Sequence, residues 1–407
     1  MGRKDAGAAL ALIVLAAAGA AHAQSALVRP MYEFPTAPPI SGPASVQLGE
    51  TPLFVTPYLG AAYGYDDNLF YSHSGEKSSS LYLVSPGVKL DARDPNKVVQ
   101  VSYQGQVGRY TSSSDDDYVD HTARAQFDAA FDRRNFLRLG FDYIRSHDPR
   151  GSTDRPLSTR PDRYRQSDPY VTYAFGTPGA PGRVELYYNG LQRRYLNNRE
   201  FTASSDRDMP EFGGAFYWRA MPRTYVLVEA RRTNIDYVDQ NAASGDERRI
   251  YAGVSWEATA ATTGTVKVGN LRRRFDEGNV PTFSGTSWEA LVTWAPRSYS
   301  KFDLYSARQT SESTGLGSFI LTSASGVAWN HAWSSFFSTN LNLRYQRDKY
   351  QDYDRTDRTT TLGVRAGYKF RRWLTLGAEF SRTQRDSNID IFEYDKNLYL
   401  VTATFSL

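Results

Sequence analysis

Apolar and polar residues alternate along most of this chain. In residues 361–370 every second position is apolar and the positions between are polar or small, and the apolar positions are Leu362, Val364, Ala366, Tyr368 and Phe370. Because successive side chains of a strand point to opposite faces, this pattern predicts a strand with one apolar and one polar face. The same pattern recurs from Leu53 to the end of the chain, so we expect an all-β protein.

Short and long connections between the predicted strands alternate. The short turns are at residues 94–97, 132–135, 176–182, 221–223, 262–264, 296–298, 333–335 and 370–373. The longer polar loops are at residues 72–77, 112–117, 148–162, 199–206, 240–246, 277–283, 311–317, 351–355 and 386–391. This segmentation predicts about 18 strands in a transmembrane antiparallel up-and-down β-barrel, with both termini periplasmic.

The first residues predict export. Arg3 and Lys4 precede an apolar run from Ala8 to Ala20, and a small-x-small site ends at Ala23. This is the pattern of a secretory signal peptide, so we expect cleavage after residue 23. The alternative is a retained N-terminal helix. Residues 24–52 are rich in proline and are expected to form an extended periplasmic lead-in, and residues 53–407 are expected to form the barrel.

The composition agrees with a barrel better than with other classes. The mean hydropathy is −0.54, and no mature segment approaches the 18 apolar residues of a helical span. A barrel resolves this, because only alternate residues face lipid. The absence of cysteine excludes disulfides, and a net charge of +4 gives no argument for nucleic acid. A soluble β-sandwich or solenoid would need polar outer faces, whereas these faces carry large apolar residues.

No catalytic constellation is apparent, and we expect neither enzyme activity nor a cofactor. The five histidines are scattered and lack metal-ligand spacing. A barrel esterase or protease is the alternative. The last strand, Tyr399 to Leu407, alternates and ends at the carboxyl terminus, which resembles the signal read by the barrel assembly machinery.

Arginines recur on the predicted lipid-facing side of the strands that run outward. Each lies about six to ten residues beyond the first lipid-facing residue, or about 15–25 Å along a tilted strand. At that height their neighbours in an outer leaflet are lipopolysaccharide phosphates, which arginine binds in a bidentate manner. The alternative is that arginine is simply tolerated there by snorkelling. These predicted lipopolysaccharide-facing residues are Arg109, Arg145, Arg194, Arg232, Arg272, Arg308, Arg347 and Arg382.

The opposite face predicts a lumen wall of mixed charge, suited to neutral or weakly charged solutes. Its tyrosines could stack on sugar rings. The loop at residues 148–162 is the longest, and it could either constrict the pore or cover its mouth. The predicted lumen-lining residues are Arg124, Arg138, Glu229, Arg231, Lys267, Arg273, Arg344, Arg365, Lys369, Glu379, Tyr251 and Tyr305.

Four short segments carry a family resemblance: Tyr65–Leu69, Ser85–Leu90, Tyr103–Tyr110 and His147–Gly151. With them the chain resembles the putative β-barrel porin 2 family of outer-membrane proteins, whose members often accompany exopolysaccharide biosynthesis and export genes. The resemblance implies an outer-membrane channel for a polysaccharide, with possible periplasmic export components as partners. A general or substrate-specific diffusion porin and a structural or adhesive barrel with a closed lumen are the alternatives.

Overall fold

The computed structural model describes residues 45–155, 157–177, 179–239, 243–259, 261–277 and 280–406. The predicted signal peptide and residues 24–44 of the lead-in lie outside these ranges. Most of the described chain is in β-strands. Its strands, β1 to β19 in chain order, are Val46–Gln47, Leu53–Asp66, Ser79–Asp94, Lys97–Tyr110, Tyr118–Ala130, Asn135–Asp148, Asp162–Phe175, Gly182–Tyr195, Arg207–Met221, Thr224–Tyr237, Gly245–Thr259, Thr262–Phe275, Phe283–Arg297, Ser300–Ser311, Ile320–Ala332, Phe337–Tyr350, Thr356–Arg371, Leu374–Ser387 and Tyr394–Ser406.

Strands β2 to β19 form a closed antiparallel barrel of 18 strands. Each strand pairs with its neighbours in sequence, and β19 returns to pair with β2 from Leu398↔Asp66 to Ser406↔Tyr58. The predicted barrel and its strand count are therefore confirmed. Closure leaves no unpaired sheet edge, which is what allows a β-structure to sit in lipid.

Two details of the connections differ from the prediction. Residues 262–264, expected as a turn, belong to β12, because β11 continues to Thr259 and the turn between the two strands is tighter. The loop expected at residues 199–206 folds into a one-turn helix, α1 (Arg199–Thr202), and a 3₁₀ turn (Ala203–Ser205). Further 3₁₀ turns cover Ser114–Asp116 and Asp390–Phe392.

The end of the expected lead-in is partly ordered as a strand. The two residues of β1 pair with β2 through Val46↔Val55 and Gln47↔Phe54. Both described ends of the chain lie at the end of the barrel that carries the short turns, here called the short-turn end. The opposite end carries the longer loops and is called the long-loop end.

Side chains alternate between an outer and an inner face along each strand. On β10, Val226 and Val228 are 45% and 54% exposed, whereas the intervening Leu227 and Glu229 are nearly inaccessible. The outer face is an apolar band with stacked aromatic rings at its short-turn edge, where Phe302 lies between Trp294 and Trp329. No helix among the described residues is both long and apolar enough to cross a membrane.

Candidate functional site

The inner face of β8–β13, here called the packed wall, carries a buried charge cluster. The Lys267 ammonium lies 2.8 Å from a carboxylate oxygen of Glu229 and 2.7 Å from one of Glu289. Arg231 donates two hydrogen bonds to Glu289, at 2.8 and 2.9 Å, and a further one to Glu229. Two cations and two carboxylates therefore neutralise one another in the wall.

This cluster reaches across three strand gaps, from β10 to β13. It can do so because the side chains of Arg231 and Lys267 extend over the ring of Tyr251, on the strand between them. Their charged groups lie 5.2 and 5.3 Å from the centre of that ring. Tyr187, on β8, donates a hydrogen bond of 2.8 Å to Glu229 and its ring covers Gly213. A side chain at Gly213 would collide with that ring.

Two smaller pairs extend the packed wall. Glu185 accepts one hydrogen bond from Tyr217, at 3.2 Å, and lies 3.1 Å from Arg183, whose guanidinium stacks on the Tyr217 ring. Beyond the packed wall, on β5 and β6, Arg138 donates a hydrogen bond of 2.6 Å to Asp128. A buried pair stabilises only while both partners are present, since removing one leaves an uncompensated charge.

The inner face of β16–β18, here called the open wall, is built from short polar side chains. Asn340 donates a hydrogen bond of 2.7 Å to Asn330 on β15, and the hydroxyls of Thr361 and Thr383 lie 3.4 Å apart. Its main ion pair is Arg365–Glu379, at 2.8 Å from Nε. Because asparagine, threonine, serine and glycine are too short to cover one another, most inner side chains here keep part of their surface in the lumen.

The predicted lumen-lining residues all have inward strand parity, but only half of them reach open space. Those at least partly exposed are Arg124, Arg344, Arg365, Lys369, Glu379 and Tyr305. Those buried within the wall are Arg138, Glu229, Arg231, Lys267, Arg273 and Tyr251. The suggestion that Tyr251 stacks on sugar rings is wrong, because the ring is 1% exposed beneath two cations.

The loop between β6 and β7 crosses the mouth at the long-loop end. Asp154, in this loop, accepts hydrogen bonds from Tyr350, at 2.8 Å, and from Arg355, at 2.7 Å. Both partners lie at the β16–β17 connection, on the opposite side of the barrel. Arg355 is itself held by Asp357 through bonds of 2.9 and 2.6 Å. The sequence left two arrangements open for this loop, a constriction of the pore or a cover over its mouth. In the structure the loop spans the mouth.

A second loop, between β14 and β15, folds inward to meet it. Thr314 accepts a hydrogen bond of 3.1 Å from the backbone N–H of Asp154. At the start of the loop, Glu312 accepts bonds of 2.6 and 2.9 Å from Arg273 and of 2.6 Å from Tyr237. The ring of Phe319 closes over Arg273 at the other end of the loop.

These contacts set the ionisation of Glu312. Burial by itself would raise the pKa of this carboxyl, but the charge and hydrogen bonds of Arg273 outweigh burial and hold the pKa below its ordinary value. The carboxylate therefore stays charged at neutral pH and pins its loop to the packed wall. Sequence reasoning missed Asp154, Glu312 and Arg355, since only their position in loops was visible. No local pattern marks a partner that lies 39 residues away, as Arg273 does from Glu312, or 201 residues away, as Arg355 does from Asp154.

The eight arginines predicted to face lipopolysaccharide all have outward strand parity near the long-loop end. Three have carboxylate neighbours: Arg109 near Asp117, Arg194 near Asp208 and Arg382 near Asp395. The structure adds arginines that the prediction did not consider, on the intervening strands of opposite direction. Arg165 lies between Arg145 and Arg194, Arg248 lies between Arg232 and Arg272, and Arg358 lies beside Arg347.

Among the described residues, no group of three or more His, Asp or Glu side chains is placed to hold a metal ion.

Comparison with known proteins identifies one family. The model of a family described as putative beta-barrel porin 2 matches residues 43–407. No curated protein matches the sequence.

Three similar solved structures are distant in sequence. The FrpB iron transporter of Neisseria meningitidis (F3-3 variant) is 11% identical, with a TM-score of 0.43 over 81% of this chain, which spans only 62% of the transporter's length. OccK2 of Pseudomonas aeruginosa, in complex with glucuronate, is 11% identical, with a TM-score of 0.47 over 87% of this chain and 98% of its own. A bacterial polysaccharide outer membrane secretin is 10% identical, with a TM-score of 0.37 over 86% of this chain and 98% of its own.

Proposed function

The chain belongs to the putative beta-barrel porin 2 family of outer-membrane porin-like barrels, and we propose that it exports an exopolysaccharide through its lumen. The observation that carries this proposal is the open wall. Its inner face offers amide and hydroxyl groups at successive heights, among them Asn340, Asn342, Thr361, Ser381 and Thr383. A sugar chain can exchange hydrogen bonds along such a ladder without meeting one dominant site.

The packed wall supports the same function through its electrostatics. A moving polymer would be trapped by a strong fixed charge, and charged rings are how many channels select ions. Here Arg231 and Lys267 are neutralised by Glu229 and Glu289 inside the wall. The wall therefore presents little net charge to the lumen at this height, which suits a neutral or weakly charged polysaccharide.

Export requires the mouth to open. Among the described residues, the contacts that tie the crossing loop to the far side of the mouth are polar: Asp154 with Arg355 and Tyr350, and Thr314 with Asp154. The hydroxyl groups of an emerging polymer can replace these hydrogen bonds one by one. The crossing loop would then move aside without unfolding the barrel.

Deletion of the gene tests the proposal. We expect polymer to accumulate in the periplasm or to disappear from the surface, while growth on small nutrients is unchanged. Complementation by a variant with a bulky residue in the open wall, Thr361→Trp, should fail, and complementation by Ala252→Trp on the outer face should succeed. Normal surface polysaccharide in the deletion strain would refute export.

A small-solute diffusion porin is the second candidate, and the crossing loop favours it. A mouth divided by Asp154 and its partners admits small molecules more readily than a polymer. In that case the deletion strain would lose uptake of one solute and keep its surface polysaccharide. A barrel with a closed structural lumen would instead conduct no ions, either as wild type or after the mouth contacts are removed.

A further inference from the structure

Three arginines stand side by side on the outer face of the barrel. The strand register places Arg232 of β10 directly opposite Arg248 of β11, and Arg248 directly opposite Arg272 of β12. Neighbouring strands are about 4.8 Å apart, so the row is about 10 Å long. Like charges placed directly opposite each other across a strand pair are destabilising unless something neutralises them.

The protein itself supplies little neutralisation. Arg248 lies 2.9 Å from Asp246, and the same carboxylate lies 3.1 Å from Arg274, one step further toward the long-loop end. Neither Arg232 nor Arg272 forms an ion pair with any residue in the part of the chain that the structure describes. Of these four exposed guanidinium groups, only those of Arg248 and Arg274 contact the Asp246 carboxylate, and the surplus of positive charge faces outward.

The height of the row matches one edge of the apolar band. Below it on the same strands are Val228, Ala252 and Val268, and the band ends at Trp256 near the short-turn end. Arg248 is eight residues from Trp256, or about 26 Å along the strand. Because the strands are tilted by about 35–45°, this length corresponds to a height of about 20 Å, and the long arginine side chains can reach upward to the edge of an apolar band of about 25 Å. The guanidinium groups therefore lie at the level of lipid headgroups.

We propose that Arg232, Arg248 and Arg272 form a binding site for the phosphate groups of a phosphorylated glycolipid in the outer leaflet. A guanidinium presents paired N–H donors that match two phosphate oxygens, and it carries its charge at any physiological pH. Three adjacent guanidinium groups can bind one phosphate between two strands and contact a second phosphate or a sugar hydroxyl beside it. The apolar residues below the row would contact the acyl chains of the same molecule.

The other rows of outward-facing arginines carry a smaller surplus of positive charge. In the row formed by Arg145, Arg165 and Arg194, Arg194 is already bonded to Asp208 at 2.8 Å and to the backbone of Arg207. On β16 and β17 only two arginines adjoin, Arg347 and Arg358. On β10–β12 three guanidinium groups adjoin, and the carboxylate beside them, Asp246, is shared with a fourth arginine, Arg274.

The test is native mass spectrometry of the purified barrel in detergent, with bisphosphorylated lipid A or phosphatidylglycerol added. Wild type should retain lipid A. The variant R232Q/R248Q/R272Q should bind it with an affinity lower by a factor of about ten or more. The variant R232K/R248K/R272K, which keeps the charge and loses the planar fork, should lie between them. The matched control R133Q/R134Q/R372Q removes the same charge from exposed short turns and should bind as wild type does.

Heat-modifiable migration on gels confirms that each variant is folded. Equal retention of lipid A by wild type and R232Q/R248Q/R272Q would overturn the site. Wild-type retention of phosphatidylglycerol as strong as that of lipid A would show a general anionic-lipid surface and would overturn the glycolipid assignment. Neither result bears on polysaccharide export, which concerns the inner face.

Discussion

The packed wall and the open wall have the same backbone geometry and the same inward parity, yet they treat charge in opposite ways. On the packed wall, Glu289 and its two cations are nearly inaccessible. On the open wall, the side chains of Arg365 and Glu379 keep 25% and 17% of their surface. The difference comes from the length of the neighbouring side chains, since tyrosine, arginine and lysine cover one another and threonine, serine and glycine do not.

This contrast separates two roles within one lumen. A buried ion pair is needed for the stability of the barrel, because an unpaired member would lie in a medium that solvates it poorly. A part-exposed pair can exchange protein contacts for water or solute at little cost. We therefore assign stability to the packed wall and passage to the open wall, and the following measurements test that assignment.

Removing a carboxylate from each wall should give the largest difference. Glu289→Ala leaves Arg231 and Lys267 sharing only Glu229, and we expect the barrel to lose about 3–5 kcal/mol of unfolding free energy. Glu379→Ala, as the matched change on the open wall, should cost about 1 kcal/mol or less. Urea unfolding in lipid vesicles measures both, and equal losses would remove the distinction between the walls.

Breaking the contact between the β6–β7 loop and the β16–β17 connection should have the next largest effect. Asp154→Ala removes the acceptor for Arg355 and Tyr350, and a hydrogen bond to a charged group contributes about 1.5–3 kcal/mol. The ratio of open to closed channels should therefore rise about tenfold or more. Single-channel recordings would show longer open times, with Asp276→Ala at an exposed position after β12 as the control.

Acid should release the loop that is tied to the packed wall. The pKa of Glu312 is lower in the folded protein than in the released loop, so its contribution is complete above an ordinary glutamate pKa of about 4.3 and is lost as pH falls through the folded value. Conductance should accordingly rise as pH is lowered below about 4.3. Glu312→Gln should conduct more at neutral pH and respond less to acid. An unchanged pH response in this variant would assign the effect to another group.

A charge change on the open wall should have the smallest effect. Arg344→Gln removes a part-exposed inward cation, and we expect a small shift of the reversal potential toward cation selectivity. The shift should become smaller at high salt, since the Debye screening length falls to about 3 Å at 1 M ionic strength. Arg347→Gln, three residues along the same strand and facing outward, should produce no shift. An equal effect of both variants would mean that the inward assignment of Arg344 is irrelevant to conduction.

Much of the architecture could be predicted from local patterns. Parity is a property of consecutive residues, so the inward assignment of Glu229, Arg231 and Lys267 needed no knowledge of partners. The strand count followed from the alternation of short and long connections. Even the arginines of the outer face were visible one strand at a time, although their adjacency through Arg165, Arg248 and Arg358 depends on the register of the strands that run the other way.

The local alternation of residues could not predict the burial of Tyr251 or the loop contacts that cross the mouth. Tyr251 is covered by side chains from β10 and β12, and Asp154 meets Arg355 across the full width of the opening. Both depend on distances between strands and loops that are remote in sequence. A two-residue period reports which face a side chain takes, and it carries no information about what lies above that face.

The sequence by itself determined the class of fold, the order and approximate number of strands, and the face on which each strand residue lies, because these follow from turn residues and a period of two. Only the tertiary structure decided which charges are buried, which loops meet and which arginines stand side by side. Those outcomes depend on register, closure and the lengths of facing side chains, which arise only once all 18 strands are paired.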